Sequence, residues 1–151
     1  MKQKILVSSC FLGDNVRYNG KAKTLEHHYL TLWLKEGRLV KVCPEMSGGL
    51  LVPRMPAEIQ QHGIIMTQCG TDLTAAFEAG AQKALDLCIK HKLTFALLKE
   101  SSPSCGSHLI YDGSFSQTKI PGQGVTAALL QKHNIRVFSE NEIDQLAMLI
   151  N

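Results

Sequence analysis

Four short apolar runs, each four to six residues long, are separated by segments of helical spacing. They are residues 4–8 (Lys-Ile-Leu-Val-Ser), 38–43 (Arg-Leu-Val-Lys-Val-Cys), 94–98 (Thr-Phe-Ala-Leu-Leu) and 135–138 (Ile-Arg-Val-Phe). Runs of this length read as buried strands, and strands that alternate with helices need crossover connections, so the sheet is mostly parallel. The predicted fold class is α/β, a Rossmann-like three-layer sandwich. The first intervening segment places Leu25, His28, Tyr29, Leu32 and Trp33 on one helical face, with Thr24 as N-cap and Gly37 at C′. A helix starting near Asp72 carries Leu73, Ala76, Phe77, Gly80, Ala81, Ala84, Leu85 and Cys88 on its apolar face. A short helix covers residues 125–132. Ser139 and Glu142 form a capping box ahead of Ile143, Leu146, Ala147 and Ile150. Residues 44–56 read as a Gly- and Pro-rich loop and 64–67 as a short strand or edge segment. Residues 99–124 read as a long polar loop with a small hairpin around Asp112-Gly113.

A length of 151 residues fits one domain over 1–151, large enough to bury a core without disulfides. The net charge of +3 is too weak to argue for a nucleic-acid partner. No apolar run is long enough to span a membrane. The first one stops at Ile-Leu-Val, too short for a secretory signal, so a cytoplasmic location is expected.

The chain has five cysteines. In a cytosolic domain they do not make a disulfide framework, which leaves core residues, nucleophiles or metal ligands. Cys10, Cys43 and Cys105 each follow one of the predicted strands. If these strands are parallel neighbours, the three thiols converge on the carboxyl edge of the sheet, where open α/β sheets bind ligands. Taken singly, each reads as a buried core thiol. Against that, each sits at a strand-to-loop transition beside Pro, Gly or Ser. Cys88 continues the apolar face of the long helix and reads as core. Cys69 is either a loop thiol or a fourth ligand near the same edge.

Three converging thiolates with a fourth position open suit either a zinc ion with an exchangeable ligand or a four-iron cluster one thiolate short. Soft sulfur ligands favour zinc or iron–sulfur over magnesium or calcium, and no Cys-x-x-Cys or His-x-x-x-His spacing supports a zinc finger or ribbon. Glu45, two residues beyond Cys43, is placed for proton transfer at such a site. Read alone, it is a solvated loop glutamate. Lys99 and Glu100 read as a surface ion pair. Ser101, Ser102 and Ser104 offer hydroxyls to a ligand or read as loop caps. Gly48-Gly49 implies close backbone approach or positive φ. Gly122-Gln-Gly124, ahead of a helix, is either an anion cradle or a turn. Arg17, Tyr18 and Arg54, in loops after cysteine-bearing strands, could contact a substrate, but the default reading is a solvated loop.

Several motifs occur together and in order: Ser8-Ser9-Cys10-Phe11-Leu12-Gly13, Arg17-Tyr18-Asn19-Gly20, Cys43-Pro44-Glu45 with Gly48-Gly49-Leu50 and Pro53-Arg54, and Gly70-Thr71-Asp72-Leu73-Thr74. Lys99-Glu100-Ser101-Ser102-Pro103-Ser104-Cys105-Gly106 and Gly122-Gln123-Gly124-Val125-Thr126 complete the set. As a set they resemble the thiouracil desulfidase family, a bacterial domain formerly of unknown function, across nearly the whole chain. The resemblance implies a [4Fe–4S] cluster held by Cys10, Cys43 and Cys105, with one iron open to a substrate sulfur. It implies non-redox removal of sulfur from a thiolated uracil, with hydrosulfide released. Glu45 would move protons, and Ser102 would assist as substrate ligand or relay. An open iron would be oxygen-labile. Two departures from the family pattern, Asn19 for Asp and Met55 for Pro, bear on substrate identity. The rival readings are a non-catalytic iron–sulfur or zinc protein, with Cys69 as a further ligand, and a nucleotide-binding module using residues 122–126 with inert cysteines.

Overall fold

A computed structural model describes residues 2–151. Its elements in chain order are β1 (Ile5–Ser8), α1 (His28–Lys35), β2 (Leu39–Val42), α2 (Pro44–Ser47), β3 (Ala57–Ile59) and β4 (Ile65–Thr67). They continue with α3 (Thr74–His91), β5 (Phe95–Leu97), β6 (Leu109–Tyr111), β7 (Lys119–Pro121), α4 (Val125–Lys132), β8 (Arg136–Phe138) and α5 (Ile143–Ile150). The four apolar runs form one parallel sheet in the order β2-β1-β5-β8. Side chains alternate across it, as the period of two requires. Ile5, Val7, Leu97 and Phe138 pack with Leu30 and Trp33 of α1 and with Ile143 and Leu146 of α5. Leu6, Ala96, Leu98 and Val137 pack with Ala84 and Leu85 of α3 and with Ala127 and Leu130 of α4. The result is the expected sandwich of helices, sheet and helices.

The differences from the sequence reading are local. Helix α1 begins three residues later than Leu25, because the His27 ring, not Thr24, accepts from the backbone N–H of Tyr29 at 3.2 Å. Its buried face is Leu30 and Trp33, with Leu32 turned to solvent. The segment 44–56 is not all loop. It opens with α2, where Cys43 occupies the N-cap and Pro44 the first turn, a position whose missing N–H costs nothing. Strand β3 pairs antiparallel with β4, and β6 pairs with β7 as the anticipated hairpin. The hairpin tip docks on β3, where Glu58 Oε1 accepts from the N–H groups of Gly113 (3.0 Å) and Phe115 (3.2 Å). Among the described residues no helix is long and apolar enough to cross a membrane.

Two glycines set where α2 lies. A Cβ at Gly80 of α3 would stand 1.9 Å from the Pro44 carbonyl oxygen, and one at Gly48 would stand 2.0 Å from the Ala76 carbonyl oxygen. The backbones of α2 and α3 are thus in direct contact, which settles Gly48 as a close-approach glycine, while Gly49 has φ of 97°. Backbone cannot rotate away as a side chain can, so Gly80→Ala is expected to destabilise the fold by roughly 3 kcal/mol. For 151 residues that lowers Tm by about 10 °C in a thermal melt. An unchanged Tm would mean that the two helices separate freely.

Candidate functional site

The carboxyl ends of β1, β2 and β5 open into one cavity of about 530 Å³, whose walls include Cys10, Cys43, Cys105, Glu45, Ser102 and Arg54. Each thiol arrives on a different backbone device. Cys10 lies in a tight turn (Ser9–Leu12) closed by Gly13 at φ of 97°. Cys43 caps α2, and its carbonyl accepts from Ser47 N–H at 2.9 Å. Cys105 sits in a loop whose hydrogen bonds run inward. Ser102 Oγ accepts from the N–H groups of Ser104 (3.0 Å) and Cys105 (3.1 Å), and the Ser102 carbonyl accepts from Gly106 N–H at 3.0 Å.

No disulfide joins the cysteines. Burial pushes the Cys10 thiol up to about 11, and the neighbouring Cys43 adds to the rise. Burial also raises Cys43, opposed by the Met46 N–H that points at its sulfur. Cys105 is raised well above the usual thiol range by burial, then by Glu45 and Cys43. Cys88 is pushed up to about 11 by burial alone, as expected of a core thiol on α3. Cys43 thus raises both Cys10 and Cys105, and Cys10 raises Cys105, which ties the three thiols together electrostatically.

Cys69 stands apart. It is exposed on the turn after β4, with its sulfur 3.2 Å from Thr67 Oγ1. Hydrogen bonds from Thr67 and Thr71 lower its pKa. It does not line the cavity, although the adjacent Gln68 does.

Glu45 is not a solvated loop carboxylate. Its Oε2 pairs with the Arg54 guanidinium, which also donates to the Val16 carbonyl at 3.1 Å, and its Oε1 accepts from Ser102 Oγ at 3.2 Å. The Arg54 side chain is only 9% exposed, so the expectation of a solvated Arg54 is corrected. With both acceptor sides of Ser102 taken by N–H groups, its one proton is directed at Glu45. Ser104 does not line the cavity; its buried hydroxyl lies 2.7 Å from Thr126 Oγ1 and 3.8 Å from Cys105 Sγ, behind the loop.

The reading of Lys99 and Glu100 as a surface pair is also corrected. Lys99 pairs with Glu140 at 2.9 Å. Glu100 is 8% exposed and turned into the Cys105 loop. Burial would raise its carboxyl, but the N–H groups of His108, Leu109 and Ser101 and the His108 ring outweigh it and bring the pKa to about 2.

The anion-cradle reading of residues 122–126 fails for a similar reason. The N–H groups of Gly124, Val125 and Thr126, which begin α4, donate to the carbonyls of Gly106, Pro103 and Ser104 at 2.8–2.9 Å. The helix start holds the cysteine loop instead of a ligand. A Cβ at Gly124 would stand 2.4 Å from Ser104 O. Of the two departures, Met55 lines the cavity, whereas Asn19 accepts from Lys21 N–H at 3.0 Å in a turn outside it.

A family model described as 2-thiouracil desulfurase matches residues 5–142. The chain belongs to the 2-thiouracil desulfurase family. A solved structure titled [4Fe-4S]-dependent thiouracil desulfidase TudS superposes with a TM-score of 0.96 at 48% identity, over 98% of this chain and 97% of that one. An uncharacterized protein, YbbK of Bacillus subtilis (strain 168), is 42% identical over 94% of this chain and 99% of its own length. The superposition extends over the parallel sheet and the loops that carry the cysteine cavity.

Proposed function

We propose that the 151 residues act as one desulfidase domain. It would hold a [4Fe–4S] cluster on Cys10, Cys43 and Cys105 and remove sulfur from a thiolated uracil or a similar small thio-compound without redox change. The observation that carries this reading is the convergence of these three thiols with Glu45 and Ser102 in one cavity. The donor chemistry fits a cluster. Three thiols raised chiefly by burial share one cavity beside a carboxylate, and a positively charged body between them favours their thiolate forms. The exposed position of Cys69 leaves the cluster three protein ligands.

When bound, the cluster would supply an iron without a protein ligand as a Lewis acid for the substrate sulfur. The overall reaction is a hydrolysis. Water adds at the ring carbon, the C–S bond breaks, the oxygen stays as the carbonyl, and sulfur leaves as hydrosulfide. No electrons are transferred. Glu45 takes the proton from water, with its orientation set by Arg54 on one oxygen and Ser102 on the other. The Ser102 hydroxyl ties Glu45 Oε1 to the backbone of Ser104 and Cys105, so it holds the carboxylate in place on the cavity wall. The buried hydroxyl pair of Ser104 and Thr126 favours Ser102 over Ser104 for this role. The wider cavity wall, with Tyr111, Phe115 and Gln117 from the β6–β7 hairpin, is suited to a flat ring.

The test is anaerobic purification, reconstitution with iron and sulfide, and measurement of bound iron and of sulfide released from 2-thiouracil. Uptake of one cluster per chain with sulfide release supports the reading. A protein that takes up no iron, or that carries a cluster and releases no sulfide from any thiolated pyrimidine, overturns it.

A further inference from the structure

One buried carboxylate organises the whole limb that bears Cys105. Glu100 Oε1 lies within hydrogen-bond distance of four backbone N–H groups: Ser101 (3.2 Å), Ser107 (2.9 Å), His108 (3.0 Å) and Leu109 (3.1 Å). Its Oε2 meets Ser107 Oγ and His108 Nδ1, each at 3.2 Å. These partners flank Cys105 on both sides in sequence, so the side chain closes residues 100–109 into a ring. Ser101 is held in the left-handed region at φ of 70°, a conformation that a serine keeps only when its surroundings impose it. Outside the ring, Glu140 accepts from the Glu100 N–H at 2.8 Å and anchors it next to β8. Inside the ring lie the bonds from Ser104 and Cys105 to Ser102.

We propose that Glu100 is the positioning residue of this site: by gathering the N–H groups on both sides of the loop, it presets Cys105 and Ser102 before any cofactor or substrate is bound. This rests on the reading above only in naming what Cys105 holds. The ring itself is a property of the chain. Four of its six contacts are hydrogen bonds accepted from backbone N–H groups, so the reach of the side chain sets the loop geometry.

The reach argument separates three variants. In Glu100→Gln the amide oxygen replaces Oε1, and its NH₂ can donate to Ser107 Oγ. In Glu100→Asp the charge stays but falls one methylene short. Glu100→Ala leaves the N–H groups unpaired. Alkylation of the cluster-free protein by iodoacetamide, followed by mass spectrometry of each cysteine, reads the loop directly. Cys105 should react faster by on the order of tenfold in Glu100→Ala and Glu100→Asp, with Cys10 and Cys43 unchanged, while Glu100→Gln stays near wild type. Iron uptake on reconstitution should follow the same order.

Circular dichroism decides which variants count as folded. If Glu100→Ala fails to fold, Glu100→Asp carries the test. Wild-type labelling in Glu100→Asp, or protection of Cys105 by Asp and not by Gln, overturns the proposal. The labelling needs no cluster. A wild type that takes up no iron therefore refutes the functional reading and leaves the role of Glu100 to be judged on its own.

Discussion

Cys10→Ala, Cys43→Ala and Cys105→Ala are each expected to abolish cluster retention and sulfide release, while Cys69→Ala leaves both near wild type. In the proposed site three thiolates hold the cluster, and with two left the protein would compete poorly with sulfide and solvent for iron. Cys69 lies outside the cavity, so its loss removes no ligand. Truncating a half-buried or buried cysteine to alanine is also a small steric change, so the folded fraction should persist and the apo variants should melt cooperatively. Iron content and visible absorption after anaerobic reconstitution decide the matter. Loss of iron in Cys69→Ala, with retention in any one of the three, would reverse the assignment.

The second large effect separates chemistry from cofactor binding. Glu45→Gln should keep the cluster yet lower kcat by about 10²–10⁴-fold, the range expected when a general base is removed. The amide oxygen can take the place of only one carboxylate oxygen, so it accepts from Arg54 or from Ser102, and the NH₂ replaces the other acceptor with a donor. The amide cannot take a proton from water. The change also leaves the buried Arg54 guanidinium without its counter-charge, and breaking such a pair costs up to about 3–5 kcal/mol. The assay therefore needs iron content and a melting curve beside the turnover number. Full iron with wild-type turnover would remove Glu45 from the mechanism. A lower Tm with turnover unchanged would make it purely structural.

These two experiments address different layers of the site, and the layers were unequally legible in the amino-acid sequence. The three ligand candidates could be picked out because each follows or ends an apolar run. β2, β1 and β5 are hydrogen-bonded neighbours running in parallel, so a residue just past one strand end lies near the residue just past the next. The polar support of the site could not be read this way. Arg54, Lys99 and Glu100 all carry charge in loop sequence, and charge in a loop is solvated more often than not. What overturns that default is a partner distant in the chain: Glu45 and Val16 for Arg54, Glu140 for Lys99, and the N–H groups of residues 107–109 for Glu100. Backbone N–H groups are the same in every residue, so an acceptor that collects them leaves no signature in composition or spacing. Helix α2 and strand β3 were missed because four and three residues are too few to show a period.

By itself, then, the sequence determined the layer order, the parallel sheet and the edge at which the cysteines meet. Periodicity and the handedness of crossover connections leave few alternatives to that arrangement. Only the tertiary structure decided that Gly80 and Gly124 admit other backbone where a side chain would stand, and that α4 begins by holding the Cys105 loop instead of an anion. It alone decided that Glu45 is oriented by Arg54 and Ser102, and that Glu100 serves the loop and not the solvent. The physical reason is that burial patterns are written locally along the chain, whereas the partners of a buried charge are chosen in three dimensions.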